Sequence, residues 1–401
     1  MSDQDTKFYE TAVANFIEYL RINTVQPEPD YDGAIVFLKK MASELDLPVE
    51  VIHVTPKHPA VIITWEGTDP LLPSVMLNSH IDVVPVFPEH WICDPFEAMK
   101  DEKGDIYARG SQDMKCVAIQ YIEAVRKLKR EGRRLRRTIH MTFVPDEEVG
   151  GHQGMEKMIK FDSFKKLKVG FAMDEGLANE TDEFMAYYGE RSPWWFVVTC
   201  PGAPGHGSRF VENTAAEKAQ KVINSFLGFR DREEKRLKSD PDIALGDVTT
   251  TNMTMLKGGV QPNVIPAEFK IGFDMRIAPT VNLVELEKQI HQWCKEAGDD
   301  VSFEFLQRNM NQKVTDTTDS NPWWKAFSDS CKKMNLKIKP TIFPAATDSR
   351  YLREADYPAI GFSPMNNTPV LLHDHNEFLN EKVFTRGIDI YYQLIPDLAN
   401  V

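Results

Sequence analysis

The stretch Thr138-Ile139-His140-Met141-Thr142-Phe143-Val144-Pro145-Asp146-Glu147-Glu148-Val149-Gly150-Gly151 decides how the chain is read. Residues 138–144 make a run of strand length and buried character. Two adjacent carboxylates follow, and then glycines that let the backbone turn sharply. Side-by-side carboxylates at the end of a strand repel each other, which costs stability unless a cation or a proton is shared. In open α/β sheets the C-terminal edge of the strands is where ligands bind. The segment therefore predicts a strand of such a sheet, with a functional site at its end.

The same arrangement recurs downstream, where 169–173 runs into Asp174-Glu175-Gly176. Upstream, a run at 74–78 leads into Leu77-Asn78-Ser79-His80-Ile81-Asp82, and shorter runs occupy 49–54 and 60–65. Phe8, Ala12, Phe16 and Leu20 follow helical spacing, as do 34–45 and 114–131. Strand and helix signals that alternate in this way predict an α/β domain with a largely parallel sheet.

Near residue 189 the character changes. A strand at 194–200, a Pro/Gly-rich turn (Pro201-Gly202-Ala203-Pro204-Gly205), a charged helix at 214–236, strands at 247–257 and 267–276, a helix at 282–297 and a strand at 301–306 follow. That β-α-β-β-α-β order is the ferredoxin-like pattern. After about 310 the α/β rhythm resumes, with a helix from 322, a strand at 338–343 and a helix from 380. Residues 1–188 and 310–401 are thus expected to build one domain, into which 189–309 is inserted.

Composition sets outer bounds. The 401 residues carry 60 acidic against 47 basic side chains, a formal net charge of −13. An acidic chain is ill suited to general nucleic-acid binding, which works by neutralising phosphates. The basic run Arg126 to Arg137 is read as a helix end and a solvated turn, since cations suit helix C-termini. The five cysteines lie in no C-x-x-C pair, so neither a disulfide framework nor a cysteine zinc site is expected. The polar Met1–Lys7 is unlike a signal peptide, and no run approaches the roughly 20 apolar residues of a membrane helix. A cytoplasmic protein with no membrane partner is the expectation.

Each candidate site residue also has an ordinary reading. His80 by itself is a strand-end histidine beside a solvated Asp82, although residues two apart on an extended chain point the same way. Asp82 would then take the other ring N–H of a metal-bound His80. Asp113, in Arg109-Gly110-Ser111-Gln112-Asp113-Met114-Lys115, by itself is a helix N-cap. Leu371-Leu372-His373-Asp374-His375-Asn376-Glu377 offers two histidines after an apolar strand. Taken together, His80, Asp113, Glu148, Glu175 and His373 supply two nitrogen and three oxygen donors. That set suits two zinc ions with one bridging carboxylate and positions left open for water. Glu147 is placed to carry a proton from that water to a leaving nitrogen.

At His80-x-Asp82, Arg109-Gly110-x-x-Asp113-x-Lys115, Glu147-Glu148-x-Gly150-Gly151, Asp174-Glu175-Gly176 and His373-x-x-Asn376-Glu377, the chain resembles the dinuclear zinc amidohydrolases and exopeptidases, most of all their aminoacylase branch. The resemblance spans nearly the whole chain. It implies a zinc-exopeptidase-like catalytic domain with a mostly parallel central sheet and an inserted ferredoxin-like α+β domain for dimerisation. It implies two Zn2+ per subunit: His80 and Glu175 on one, Glu148 and His373 on the other, Asp113 bridging. The spacing to Asn376-Glu377 favours His373, with His375 the competing ligand. Asp82 would orient His80, and Glu147 would be general base and acid. His206, in Gly205-His206-Gly207-Ser208, would reach the substrate carbonyl across a homodimer interface. Asn263 and Arg276 would contact substrate, and Arg350 would grip its carboxylate bidentately. The implied reaction is hydrolysis of N-acyl-L-amino acids, N-acetylated and with neutral aliphatic side chains, to a carboxylate and a free amino acid. A dipeptidase or carboxypeptidase using the same two ions is the alternative. Cys116 departs from the glycine of many relatives and is read as a small buried side chain.

Overall fold

The computed structural model describes residues 3–401. The chain divides into two compact units. One comprises the residues up to Tyr188 together with Thr315–Pro340 and Thr347–Val401; the other comprises Gly189–Val314 and Thr341–Ala346.

The first unit is built on a sheet in the order Val49–Thr55, His58–Trp65, Ile139–Val144, Ser74–His80, Val169–Asp174, Ala359–Gly361, Glu183–Glu190, Lys337–Phe343. The four strands from Ile139–Val144 to Ala359–Gly361 run parallel, and antiparallel partners extend the sheet beyond them. Alternate residues of one strand enter different cores. Val75 and Leu77 pack with the helices Asp3–Leu20, Lys115–Arg130 and Glu381–Ala399, whereas Met76 packs with Met155, Phe164 and Leu352. Both faces are therefore covered, which is why these strands read as continuous apolar runs instead of alternating ones. Lys115–Arg130 is buried along most of its length. Its C-terminal bases are tied down within the unit: Arg126 pairs with Glu123 and Glu44, and Lys127 with Asp389. A small sheet of Met99–Lys100, Asp105–Tyr107 and Phe378–Asn380 ties the loop before Lys115 to the loop after Leu372.

The second unit is a four-stranded antiparallel sheet in the order Thr250–Gly258, Glu268–Ile277, Ser192–Pro201, Ser302–Arg308. With the helices Ala215–Ser239 and Leu283–Ala297 between the strands, this is the ferredoxin-like order. Thr214 and Glu217 close a capping box at the first helix, and Asn282 caps the second, which satisfies amides that would otherwise lack partners. The helices pack on each other, and the core between them and the sheet is aromatic. Phe226 stacks on Phe273 at 4.1 Å between centroids and meets Trp293 edge-on at 4.9 Å. Along the edge strand Thr250–Gly258, Met253, Met255 and Leu256 remain exposed.

All five cysteines are unpaired, and Cys116 is buried with its thiol 3.3 Å from the Gln112 carbonyl. Among the described residues no helix is long and apolar enough to cross a membrane.

Candidate metal centre

Parallel pairing brings three strand ends together. His80 is the last residue of its strand and lies opposite Val144, while the same strand pairs on its other side with Val169–Asp174. Glu147 and Glu148 leave the first neighbour through Pro145-Asp146, and Glu175 follows the second directly. The repeated acids of the sequence thus flank the His80 strand end on one edge of the sheet.

Asp113 joins them from the loop ahead of Lys115–Arg130. The cap position of that helix is Met114, with no side-chain cap, so Asp113 does not serve as an N-cap. Its two oxygens serve two neighbourhoods. Oδ1 lies 2.9 Å from His80 Nε2, which is also 3.6 Å from Glu175 Oε2. Oδ2 lies 3.3 Å from His373 Nε2, which is 3.1 Å from Glu148 Oε2. Two three-residue groups able to hold an ion result, His80–Asp113–Glu175 and Asp113–Glu148–His373, sharing Asp113.

The chemistry of these donors fits a pair of cations. His80 Nδ1 donates to the Asp82 main-chain carbonyl at 2.8 Å, which leaves Nε2 as the ligand atom. Glu148 Oε1 is buried with no hydrogen-bond partner, and such an atom is costly to leave unmatched. Burial opposes a charge on His80, yet the Glu175 and Asp113 carboxylates outweigh it and hold the imidazole well above 6.5. Hydrogen bonds with Asp113 and Glu148 push His373 up to about 10. Burial, then the Asp113 charge, pushes Glu148 up to about 7. Burial and neighbouring carboxylates also raise Glu147 and Glu175 well above the ordinary range. The buried carboxylates of the centre are thus short of compensating positive charge. Metal ions at the two groups would supply that charge, and one nitrogen with two carboxylates at each leaves room for water.

Two expectations need correction. The Asp82 carboxylate does not hold the His80 ring; the Asp82 main chain does. The carboxylate instead accepts from the amides of Glu147 and Glu148, each at 3.2 Å, and from Gln26 Nε2 at 2.7 Å. No strand precedes His373, which sits in a turn at φ 60°. Arg350 donates through Nη2 to the Gly150 carbonyl at 2.6 Å. His375 joins neither metal group; its ring lies 4.8 Å from that of His90. Within the inserted unit, His206 and Asn263 come together, Gly207 N donating to the Asn263 carbonyl at 2.8 Å. His206 is exposed and its Nδ1 is 2.8 Å from Ser208 Oγ. Arg276 is held by Asp274 at 2.8 and 3.1 Å.

One residue quoted in a motif, Glu377, was given no role from the sequence. Glu377, fully buried, takes Arg109 Nη1 at 2.8 Å and the amides of Gly110, Gln112 and Asp113 at 3.1, 2.6 and 3.2 Å. It fixes the loop that carries the shared carboxylate. The signal available in the sequence was an arginine and a glutamate each placed a few residues from a ligand.

The family model described as peptidase family M20/M25/M40 matches residues 76–397. Mouse Aminoacylase-1 is 58% identical over 401 residues, covering 100% of this chain and 98% of the relative. Aminoacylase-1 of Dictyostelium discoideum is 48% identical, covering 97% and 98%. Among solved structures, an M20 metallo-carboxypeptidase of Sulfolobus solfataricus superposes with a TM-score of 0.72 at 17% identity, covering 100% of this chain and 99% of that one. A dinuclear metal-binding peptidase of Bacillus subtilis does so at 0.72 and 14%, covering 97% and 98%. A strand-end centre of two ligand groups joined by Asp113, a family model over most of the chain and full-length relatives at this identity lead to one statement: the chain is a metal-dependent amidohydrolase and belongs to the M20/M25/M40 peptidase family.

Proposed function

We propose that this enzyme is an aminoacylase, hydrolysing N-acyl-L-amino acids, N-acetylated and with neutral aliphatic side chains, to a carboxylate and a free L-amino acid. The observation that carries the reading is the pair of ligand groups sharing Asp113, with Glu147 beside them, in a chain 58% identical to mouse Aminoacylase-1. We assign the ions as zinc, on a donor set of histidine and carboxylate with open positions. Bound there, they supply Lewis-acid polarisation of the acyl carbonyl and lower the pKa of water.

The residues of the chain do the rest. Glu147 belongs to neither ligand group. We assign it to take a proton from the attacking water and deliver it to the amide nitrogen as the C–N bond breaks. Asp82 holds the amides of Glu147 and Glu148 and so sets where both carboxylates point. Arg350 is assigned to the substrate carboxylate, Asn263 and Arg276 to substrate contacts, and His206 to the developing oxyanion from a second copy of the chain. A homodimer is supported by Met253, Met255 and Leu256 on an exposed sheet-edge strand. A cytoplasmic setting is supported by the five unpaired cysteines.

The test compares N-acetyl-L-methionine with an unblocked dipeptide, before and after exhaustive chelation. Turnover of the acetylated substrate should dominate, vanish with the metal and return on adding zinc. Activity that survives chelation, or that prefers the dipeptide, overturns the reading.

A further inference from the structure

We propose that Tyr351 is a positioning residue of this reaction, its hydroxyl latching the turn that carries Glu147 and Glu148. The inference rests on the hydrolytic reading above and goes further, to what holds the proton carrier in place.

The turn cannot hold itself. Glu147–Val149 is a three-residue 3-10 segment, flanked by positive φ at Asp146 (76°), Gly150 (107°) and Gly151 (66°). Its closing bonds are Gly150 N to Glu147 O at 2.8 Å and Gly151 N to Asp146 O at 2.6 Å. So short a segment gains little from its own hydrogen bonds, and external contacts set its geometry. At the leading end the contact is the Asp82 carboxylate on the Glu147 and Glu148 amides. At the trailing end it is the Gly150 carbonyl, which accepts from Tyr351 Oη and Arg350 Nη2, each at 2.6 Å.

Of these two donors, Tyr351 is the fixed one. Its residue is 6% exposed, and its ring lies 4.7 Å beneath the Arg350 guanidinium. The hydroxyl also has Arg350 Nη2 and His152 Nδ1 at 3.4 Å, the latter engaged by Glu156 at 2.6 Å. The turn also sits tightly on the same segment. A Cβ at Gly151 would lie 2.7 Å from Asp348 Oδ1 and 3.0 Å from Tyr351 Cε2. If Arg350 swings to a substrate carboxylate, the phenol is the donor that keeps Gly150, and hence Glu147, in register.

The substitution Y351F removes the hydroxyl and keeps the ring. A small displacement of a catalytic group is enough to cost about 10²-fold in rate. We therefore expect kcat for N-acetyl-L-methionine to fall about tenfold or more, with KM little changed and metal content equal to that of the parent. Y351M, which also lacks a donor, should behave alike and serves if Y351F does not fold. A kcat close to the parent's overturns the latch. So does a rise in KM at unchanged kcat, which would put the hydroxyl on the substrate. So does full recovery of kcat on saturating with metal, which would make the hydroxyl a matter of occupancy. A parent protein inactive on this substrate would instead refute the aminoacylase reading.

Discussion

The substitution E147Q is expected to lower kcat by about 10²–10⁴-fold, with both ions retained. Glutamine matches glutamate in size but cannot accept and return a proton. The retention of metal follows from geometry, because Glu147 belongs to neither ligand group while its neighbour Glu148 belongs to one. Steady-state kinetics with metal analysis on the same preparation checks both halves. A variant that turns over at near-parental rate, or one that loses an ion, removes Glu147 from the role assigned to it.

The second large effect is structural. Replacing Glu377 by alanine should destabilise the first unit by about 3–5 kcal/mol, the cost typical of breaking a buried charge pair. Arg109 is 2% exposed and would be left as a buried cation, with its Nε already lacking a hydrogen-bond partner. Three amides of the 110–113 loop would lose their acceptor as well. One of them belongs to Asp113, so metal affinity should fall together with stability. Urea titration read at a probe in this unit measures the loss, and E377Q, which keeps an acceptor, should lie between parent and alanine. An alanine variant as stable as the parent would show that the loop is held by something else.

Much of this was legible in the sequence because it is local. The acids at 147–148 lie just past one strand and those at 174–175 at the end of another, and parallel pairing of both strands with Ser74–His80 sets the acids on either side of His80. The β-α-β-β-α-β order of the inserted unit was likewise readable from period and turn chemistry. What was not legible depends on contacts between distant segments. Glu377 meets the Gln112 amide across 265 positions, and Tyr351 meets Gly150 across 201. No local periodicity marks either. The role given to Asp82 rested on alternation along a strand, but the chain leaves the strand at His80 and the carboxylate swings to the next turn. His373 was placed after a strand because of Leu371-Leu372, yet those residues belong to a turn region shaped by positive φ at His373 and Asn376.

The central claim is a two-ion centre bridged by Asp113, and metal content per chain after dialysis tests it most directly. The account predicts two zinc ions in the parent and in H375A, one in H373A, and loss at both groups in D113A. A parent that binds a single ion, or an H375A variant that loses an ion while H373A keeps both, would contradict it.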